Sequence, residues 1–256
     1  MSGVDAIVFD LFDTLVDLHM ERIPRQEHAG RRIAGTAPRL HEALSAELDV
    51  PFDRFVAVLA ETDSDFRESR YAKGLELPTE ERFAAFLERL GMNRPDLVTK
   101  LTEVHMGALL EQVRSLDHHV EVMQALRAHV PLALCSNFSH SKTALGVLEA
   151  AGLRPHLDVI VVSDAVGIRK PRPEIFQQVL EELGTSPERT LHVGDNLAAD
   201  VAGAGAVGIR TVWITRRVRD PGTRLRDHVG ADPDHVIHDL SELLPVVEAL
   251  GGAPQR

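Results

Sequence analysis

The arrangement of short apolar runs along the chain limits its possible folds more than any other feature. One run, residues 4–9, stands near the start, and the others follow only after residue 118. The later runs cover residues 132–136, 159–163, 190–193, 211–214 and, more weakly, 235–237, with helical patterns between them. Short apolar strands that alternate with helices predict a doubly wound parallel sheet. We therefore expect an α/β, Rossmann-like core that includes the first run.

The segment between the first and second runs has a helical period instead. Phe83, Phe86, Leu87 and Leu90 recur at the spacing of one helix face, and Gly91 follows as a candidate C-cap. Prolines occur near the expected helix starts, at Pro38, Pro51, Pro78 and Pro95. The pattern predicts an α-helical domain over residues 18–116, inserted into an α/β core made of residues 1–17 and 117–256.

Composition excludes several classes of function. The formal net charge of −11 argues against general nucleic-acid binding, which needs a basic face. No run approaches the roughly 18 apolar residues of a membrane span. The single cysteine, Cys135, and an N-terminus without signal-peptide features favour a reducing, cytoplasmic location. We expect a small-molecule substrate, no nucleic-acid or membrane partner, and a monomer or homodimer.

Polar residues follow four of the expected strands. Asp10 comes directly after the first, Ser136 ends the second, Lys170 lies in the loop after the third, and Asp195 and Asp200 follow the fourth. In open parallel sheets the carboxyl ends of the strands form the ligand-binding edge. Clustered carboxylates favour a hard cation such as Mg²⁺, and one of them could attack an electrophilic centre. The hydroxyl and the ammonium could bind a phosphoryl oxygen.

These four segments resemble the four motifs of the haloacid dehalogenase-like hydrolase superfamily. They are Asp10-Leu11-Phe12-Asp13-Thr14, Ser136-Asn137, Lys170-Pro171 and Gly194-Asp195 through Asp200, in the same order. The match covers roughly residues 4–17 and 117–240, and the helical insertion is similar to the helical-cap subclass. The resemblance implies a hydrolase of that superfamily, with Mg²⁺ as its cofactor.

Carried over by position, the motifs imply a role for each residue. Asp10 would be the catalytic nucleophile, Thr14 would orient it, and Lys170 would pair with the nucleophile and the phosphoryl group. Ser136 and the backbone amide of Asn137 would bind the phosphate of the substrate.

The resemblance also implies a metal site. Asp10, the carbonyl of Phe12, Asp195 and Asp200 would hold Mg²⁺, directly or through water.

One position departs from the phosphatase pattern. Phosphatases of this superfamily usually carry a general acid two residues after the nucleophile, where this chain has Phe12. A phenyl ring cannot protonate a leaving alkoxide, so another group must donate the proton. Asp13, His19 and His28 are the candidates.

Two further functions therefore stay open. Dehalogenases of the superfamily also lack this acid, so a metal-independent 2-haloacid dehalogenase is one alternative, with Arg31, Arg32 or Arg39 as the cap arginine. A non-catalytic binding protein of the same fold is the other. The retained pair Asp195 and Asp200 favours a phosphohydrolase that acts on a small phosphorylated metabolite through an aspartyl-phosphate.

Three residues outside these motifs also carry expectations. The pair His118–His119 is expected to be a solvated hinge between cap and core. His192 is expected to be a packed or hydrogen-bonded group of the core.

Overall fold

The structure is a computed structural model that describes residues 3–24, 26–28, 30–33, 35–45 and 47–251. The chain forms two compact units, one of residues 1–17 with 114–256 and the other of residues 18–113. We call them the sheet unit and the helical unit. The assignment of the helical unit as a substrate-selecting cap domain, expected over residues 18–116, stays a prediction.

The strands are short. In chain order they are β1 (Ala6–Phe9), β2 (Asp17–Leu18), β3 (Gln26–His28), β4 (Arg31–Ile33), β5 (Val113–Arg114), β6 (Leu132–Ser136), β7 (Val159–Val162), β8 (Thr190–Gly194), β9 (Arg210–Ile214) and β10 (His235–Ile237).

The helices vary between one and five turns. In chain order they are α1 (Ala37–Ser45), α2 (Phe52–Ser69), α3 (Thr79–Arg89), α4 (Pro95–Leu110), α5 (Asp117–Arg127), α6 (Ser141–Ala150), α7 (Ser163–Val166), α8 (Pro173–Leu183), α9 (Gly203–Ala206), α10 (Pro221–Arg226) and α11 (Leu243–Ala249). None of the helices in the described part of the chain is long and apolar enough to cross a membrane.

The sheet unit is built on six strands in the order β10-β9-β8-β1-β6-β7. Every neighbouring pair is parallel. The central strands are buried along their whole length because helices cover both faces of such a sheet, so their sequences are continuous apolar runs. This confirms the expected α/β Rossmann-like fold. The order places β1 between β6 and β8, so the residues that follow these three strands meet at one edge.

The helical unit has its own apolar core. Helices α1 to α4 bury one face each, and the buried side chains include Leu40, Phe55, Phe86 and Leu101. The prolines lie at the helix starts as expected, for example Pro95 at the first position of α4. The unit also contains the short antiparallel pair β3 and β4, whose polar sequences give no strand signal.

Two other details differ from the sequence-based expectations. The helical pattern expected after the apolar run 190–193 begins as a π-helix, Leu197–Ala202, and only then becomes α9. The expectation that His118 and His119 form a solvated hinge is wrong for His119, which is fully buried. Its burial follows from a hydrogen bond between its ring nitrogen Nδ1 and the carbonyl of Leu15, at 2.9 Å.

Candidate active site

The ammonium of Lys170 connects two carboxylates at the edge of the sheet. Asp10 follows β1 directly and is 9% exposed, while Lys170 is 4% exposed. Lys170 Nζ lies 2.7 Å from Asp10 Oδ1 and 2.6 Å from Asp200 Oδ1. Its third bond, at 2.6 Å, goes to the carbonyl of Cys135 in β6. Because an ammonium has three donors, these bonds use its full capacity and fix its position.

The side chain of Asn137 holds the backbone of Lys170. Asn137 Nδ2 donates to the carbonyl of Lys170 at 2.9 Å, and the amide of Lys170 donates to Asn137 Oδ1 at 2.8 Å. This pair of hydrogen bonds joins the end of β6 to the loop that follows α7. The sequence suggested only the backbone amide of Asn137 as a functional group, so this positioning role of its side chain was missed.

Asp200 is the most completely bonded carboxylate of the site. Besides Lys170, its Oδ1 contacts His192 Nε2 at 3.0 Å, and its Oδ2 accepts from the amide of Asn196 at 3.0 Å. Burial raises the pKa of Asp200, but Lys170 and His192 outweigh it and hold that pKa below its usual range. His192 is indeed a hydrogen-bonded core group, in edge contact with the ring of Phe176.

Asp195 is crowded by its acidic neighbours. Its backbone carbonyl accepts a hydrogen bond from Trp213 Nε1 at 2.8 Å, which fixes the loop after β8. Burial, and then the charges of Asp10 and Asp200, raise the pKa of its side chain to about 8. Burial likewise raises the pKa of Asp10, although Lys170 opposes this. Repulsion of this kind is relieved when carboxylates share a cation.

The three carboxylates are close enough to bind one metal ion. One oxygen each of Asp10, Asp195 and Asp200 lies within 4.8 Å of the other two. All-oxygen ligands suit hard divalent cations such as Mg²⁺. The residues present therefore fit a divalent metal, and the carbonyl of Phe12 stays a predicted fourth ligand.

Two buried hydroxyls have unused hydrogen-bonding capacity. Thr14 is 0% exposed and Ser136 is 1% exposed. Neither side-chain oxygen has a hydrogen-bond partner among the described residues. Buried polar groups are nearly always paired in proteins, so such hydroxyls are typical of a site that donates to a bound group.

Phe12 and Asp13 lie at and beside the position where phosphatases of this kind would carry the general acid. The ring of Phe12 packs on Phe138, with centroids 4.8 Å apart, so the ends of β1 and β6 carry an aromatic pair. Asp13 has a left-handed backbone with φ of 58° and accepts from Arg217 Nε at 3.2 Å. Asp13 and Asp195 both line a cavity of about 640 Å³ in the sheet unit.

The remaining candidates belong to the helical unit. His19 contacts Glu21 at 2.8 Å, and Arg39 pairs with Glu111 at 2.7 Å. His28 contacts Asp53. For the other two suggested cap arginines, Arg31 and Arg32, the structure describes the backbone in β4 and not the side chains.

Comparisons with known proteins agree with this fold. A sequence profile described as haloacid dehalogenase-like hydrolase matches residues 4–208. The phosphoserine phosphatase of Thermus thermophilus is 31% identical over 258 residues, which cover 95% of this chain and 99% of that protein. The ribulose-1,5-bisphosphate 5-phosphatase of Halopiger xanaduensis is 28% identical over 249 residues, covering 94% and 98%.

A solved structure shows the same fold. The 2-haloacid dehalogenase of Pseudomonas syringae pv. Tomato superimposes with a TM-score of 0.71 at 23% identity, covering 96% of this chain and 98% of that one. The sheet topology and the acidic site define a hydrolase of the α/β class. The chain belongs to the haloacid dehalogenase-like hydrolase family.

Proposed function

We propose that this hydrolase is a Mg²⁺-dependent phosphohydrolase that acts on a small phosphorylated metabolite through an aspartyl-phosphate. The observation that supports this most is the ammonium of Lys170, held between Asp10 and Asp200 beside a third carboxylate, Asp195. Phosphoryl transfer through an aspartyl-phosphate needs a carboxylate nucleophile beside fixed positive charge.

The nucleophile would be Asp10. Lys170 binds its Oδ1, which leaves Oδ2 as the attacking atom. In the first step Oδ2 forms a bond to phosphorus while the bond to the leaving oxygen breaks. In the second step water attacks phosphorus, inorganic phosphate leaves, and the carboxylate of Asp10 is regenerated. A Mg²⁺ ion held by Asp10 and Asp195 would neutralise charge on the phosphoryl oxygens.

The hydroxyls and the lysine would bind the transferred group. Thr14 and Ser136 each have a buried hydroxyl without a hydrogen-bond partner among the described residues. Thr14 follows β1 in the same loop as Asp10, and Ser136 ends the neighbouring strand β6. Together with the amide of Asn137 they would donate to phosphoryl oxygens, and the ammonium of Lys170, whose donors are already in use, would add positive charge beside them. Asp200, whose two oxygens already accept hydrogen bonds, would act mainly by positioning Lys170.

The leaving group would take its proton from Asp13 or, as it departs, from water. Asp13 is the titratable residue nearest in sequence to the missing acid, and it lines a cavity together with Asp195. If Asp13 donates the proton, Asp13→Asn lowers turnover of alkyl phosphates by about 10²–10⁴-fold and spares aryl phosphates, whose leaving groups need no proton. Equal losses on both substrates would exclude Asp13 as the acid.

A dehalogenase is the second candidate because of one observation. The pair Phe12 and Phe138 gives the edge of the sheet an apolar surface where a phosphatase would carry its acid. In that reaction Asp10 would attack carbon, halide would leave without a proton, and an ester would form.

The test is phosphate release from an aryl phosphate. The reaction is measured with Mg²⁺, then with a chelator, and then with Asp10→Asn, whose folding is checked by circular dichroism. We expect Mg²⁺-dependent release that the variant loses. Halide release from a short 2-haloacid, with no phosphate release, would replace the phosphatase by the dehalogenase. If neither product forms, a binding protein of this fold is the remaining function.

A further inference from the structure

A second group of metal-ligating side chains lies in the sheet unit, separate from the carboxylates Asp10, Asp195 and Asp200. His118 and His119 belong to the first turn of α5, and Asp239 follows β10, which lies three strands from β1 in the sheet. We call these three residues the histidine cluster. One ligand atom of each lies within 4.8 Å of the other two.

The buried member of the histidine cluster, His119, offers a nitrogen lone pair. Its Nδ1 lies 2.9 Å from the carbonyl oxygen of Leu15. Because a carbonyl only accepts hydrogen bonds, Nδ1 carries the proton, and Nε2 of the neutral ring has the lone pair. His119 is 0% exposed, and Nε2 has no hydrogen-bond partner among the described residues. Metal-bound histidines typically donate their other nitrogen to such a carbonyl.

The other two members complete a compact set of ligands. His118 Nε2 lies 3.0 Å from Asp239 Oδ1, and His119 Nε2 lies 3.9 Å from Asp239 Oδ2. Ligand atoms around a tetrahedral Zn²⁺ with bonds of about 2.0–2.1 Å are roughly 3.3 Å apart. The distance between His118 Nε2 and Asp239 Oδ1 already suits such a site. The longer distance between His119 Nε2 and Asp239 Oδ2 would need a small movement of a side chain.

The carboxylate is held in place, and the cluster is open to solvent. Asp239 Oδ1 accepts from the amide of Ser241 at 3.0 Å and from its hydroxyl at 2.7 Å. The side chain of His118 is 46% exposed, so an ion could enter from its side. The cluster therefore combines one buried ligand, one fixed ligand and one accessible ligand.

A neighbouring guanidinium opposes binding of a cation. Arg216 Nε lies 3.7 Å from Asp239 Oδ2, and its Nη2 lies 2.6 Å from Asp17 Oδ1. The carboxylate of Asp17 pairs with this guanidinium and offsets part of its positive charge. Arg216 thus limits the affinity of the cluster for a cation, and its removal should strengthen binding.

We infer that His118, His119 and Asp239 bind a divalent transition-metal ion of the Zn²⁺ type, which joins the start of α5 to the segment after β10. Two imidazole nitrogens and one carboxylate oxygen favour Zn²⁺ over Mg²⁺. The site is independent of the proposed phosphatase reaction.

The test uses the full chain and Zn²⁺ itself, in excess Mg²⁺. Thermal unfolding of the sheet unit is followed by the fluorescence of Trp213, the single tryptophan, which lies in β9. Zn²⁺ at about 100 times its Kd should raise Tm by roughly 5–10 °C. His118→Ala, a change at an exposed side chain, should remove this shift. His238→Ala removes an exposed imidazole beside Asp239 and should keep it.

Two further results bear on the site. Arg216→Gln should tighten Zn²⁺ binding in calorimetry, because it removes the opposing charge. Zn²⁺ that binds at the catalytic carboxylates would raise Tm equally in the wild type and in His118→Ala. Equal shifts in those two proteins, no shift in either, or loss of the shift in His238→Ala alone would overturn the inference.

Discussion

Replacing Lys170 by methionine should destabilise the sheet unit strongly. Its ammonium lies 2.7 Å from Asp10 and 2.6 Å from Asp200, and all three side chains are buried. Removing one partner of a buried ion pair costs about 3–5 kcal/mol, because the remaining charge has no partner. Two carboxylates depend on this lysine, so we expect a loss near the upper end of that range, which lowers Tm by roughly 8–20 °C.

The loss should also depend on pH. Without the ammonium, burial raises the folded-state pKa of Asp10 and Asp200 above their unfolded values near 3.9. The folded variant then binds more protons than its unfolded state at mildly acidic pH, so its stability relative to wild type recovers as pH falls. The deficit should be largest at neutral pH and become smaller towards pH 4.

The assay is urea or thermal unfolding followed by Trp213 fluorescence, with a chelator present so that no metal replaces the ammonium. Lys142→Met is the matched control, since Lys142 is exposed on α6 and its loss should stay within about 0.5 kcal/mol. A loss below about 1 kcal/mol in Lys170→Met, or a deficit that grows as pH falls, would refute the reasoning.

Three other changes have defined outcomes. A Cβ at Gly194 would lie 2.3 Å from Asp200 Cγ, so Gly194→Ala should lower the free energy of unfolding by about 1–3 kcal/mol and lower turnover. Gly146→Ala is the control, because a Cβ there meets open space and should change neither; equal unfolding midpoints for the two variants would contradict this. Burial, and then the charge of Arg82, lower the pKa of His105 to about 4. The stability that the neutral imidazole allows above pH 6.5 should therefore be lost as the pH falls to 4, by at most about 3 kcal/mol. Urea titrations of His105→Gln should show a smaller loss over the same pH range. Burial raises the pKa of Cys135 to about 12, so a thiol reagent at pH 8 should react only after unfolding; rapid reaction of the folded protein would contradict this burial.

The sheet could be predicted from the sequence because its strands are buried on both faces. Each central strand is then a continuous apolar run, such as residues 132–136, with a polar residue where it ends. The parallel arrangement brings those ends to one edge, so Asp10 and Lys170 could be expected at the same edge although 160 positions separate them, while their direct pairing was implied by the family resemblance. The strands β3 and β4 could not be predicted, because all of their residues except Ile33 are polar and show no apolar period.

The supporting contacts of the site depend on tertiary structure alone. Nothing in the sequence indicates that Asn137 binds the backbone of Lys170, or that Trp213 donates to the carbonyl of Asp195. His119 looked like a solvated residue beside His118, yet a backbone carbonyl pairs with its ring and allows its burial. Such hydrogen bonds carry no periodic signal, since one donor and one acceptor suffice at any separation along the chain.

The most direct measurement is to trap the covalent intermediate. The protein is mixed with an aryl phosphate and Mg²⁺, quenched in acid during turnover, and digested for mass spectrometry. We expect the peptide containing Asp10 to gain the mass of one phosphoryl group, and Asp10→Asn neither to gain it nor to release phosphate. Phosphate release without phosphorylated Asp10 in the wild type, or release that persists in Asp10→Asn, would contradict a reaction through an aspartyl-phosphate on Asp10.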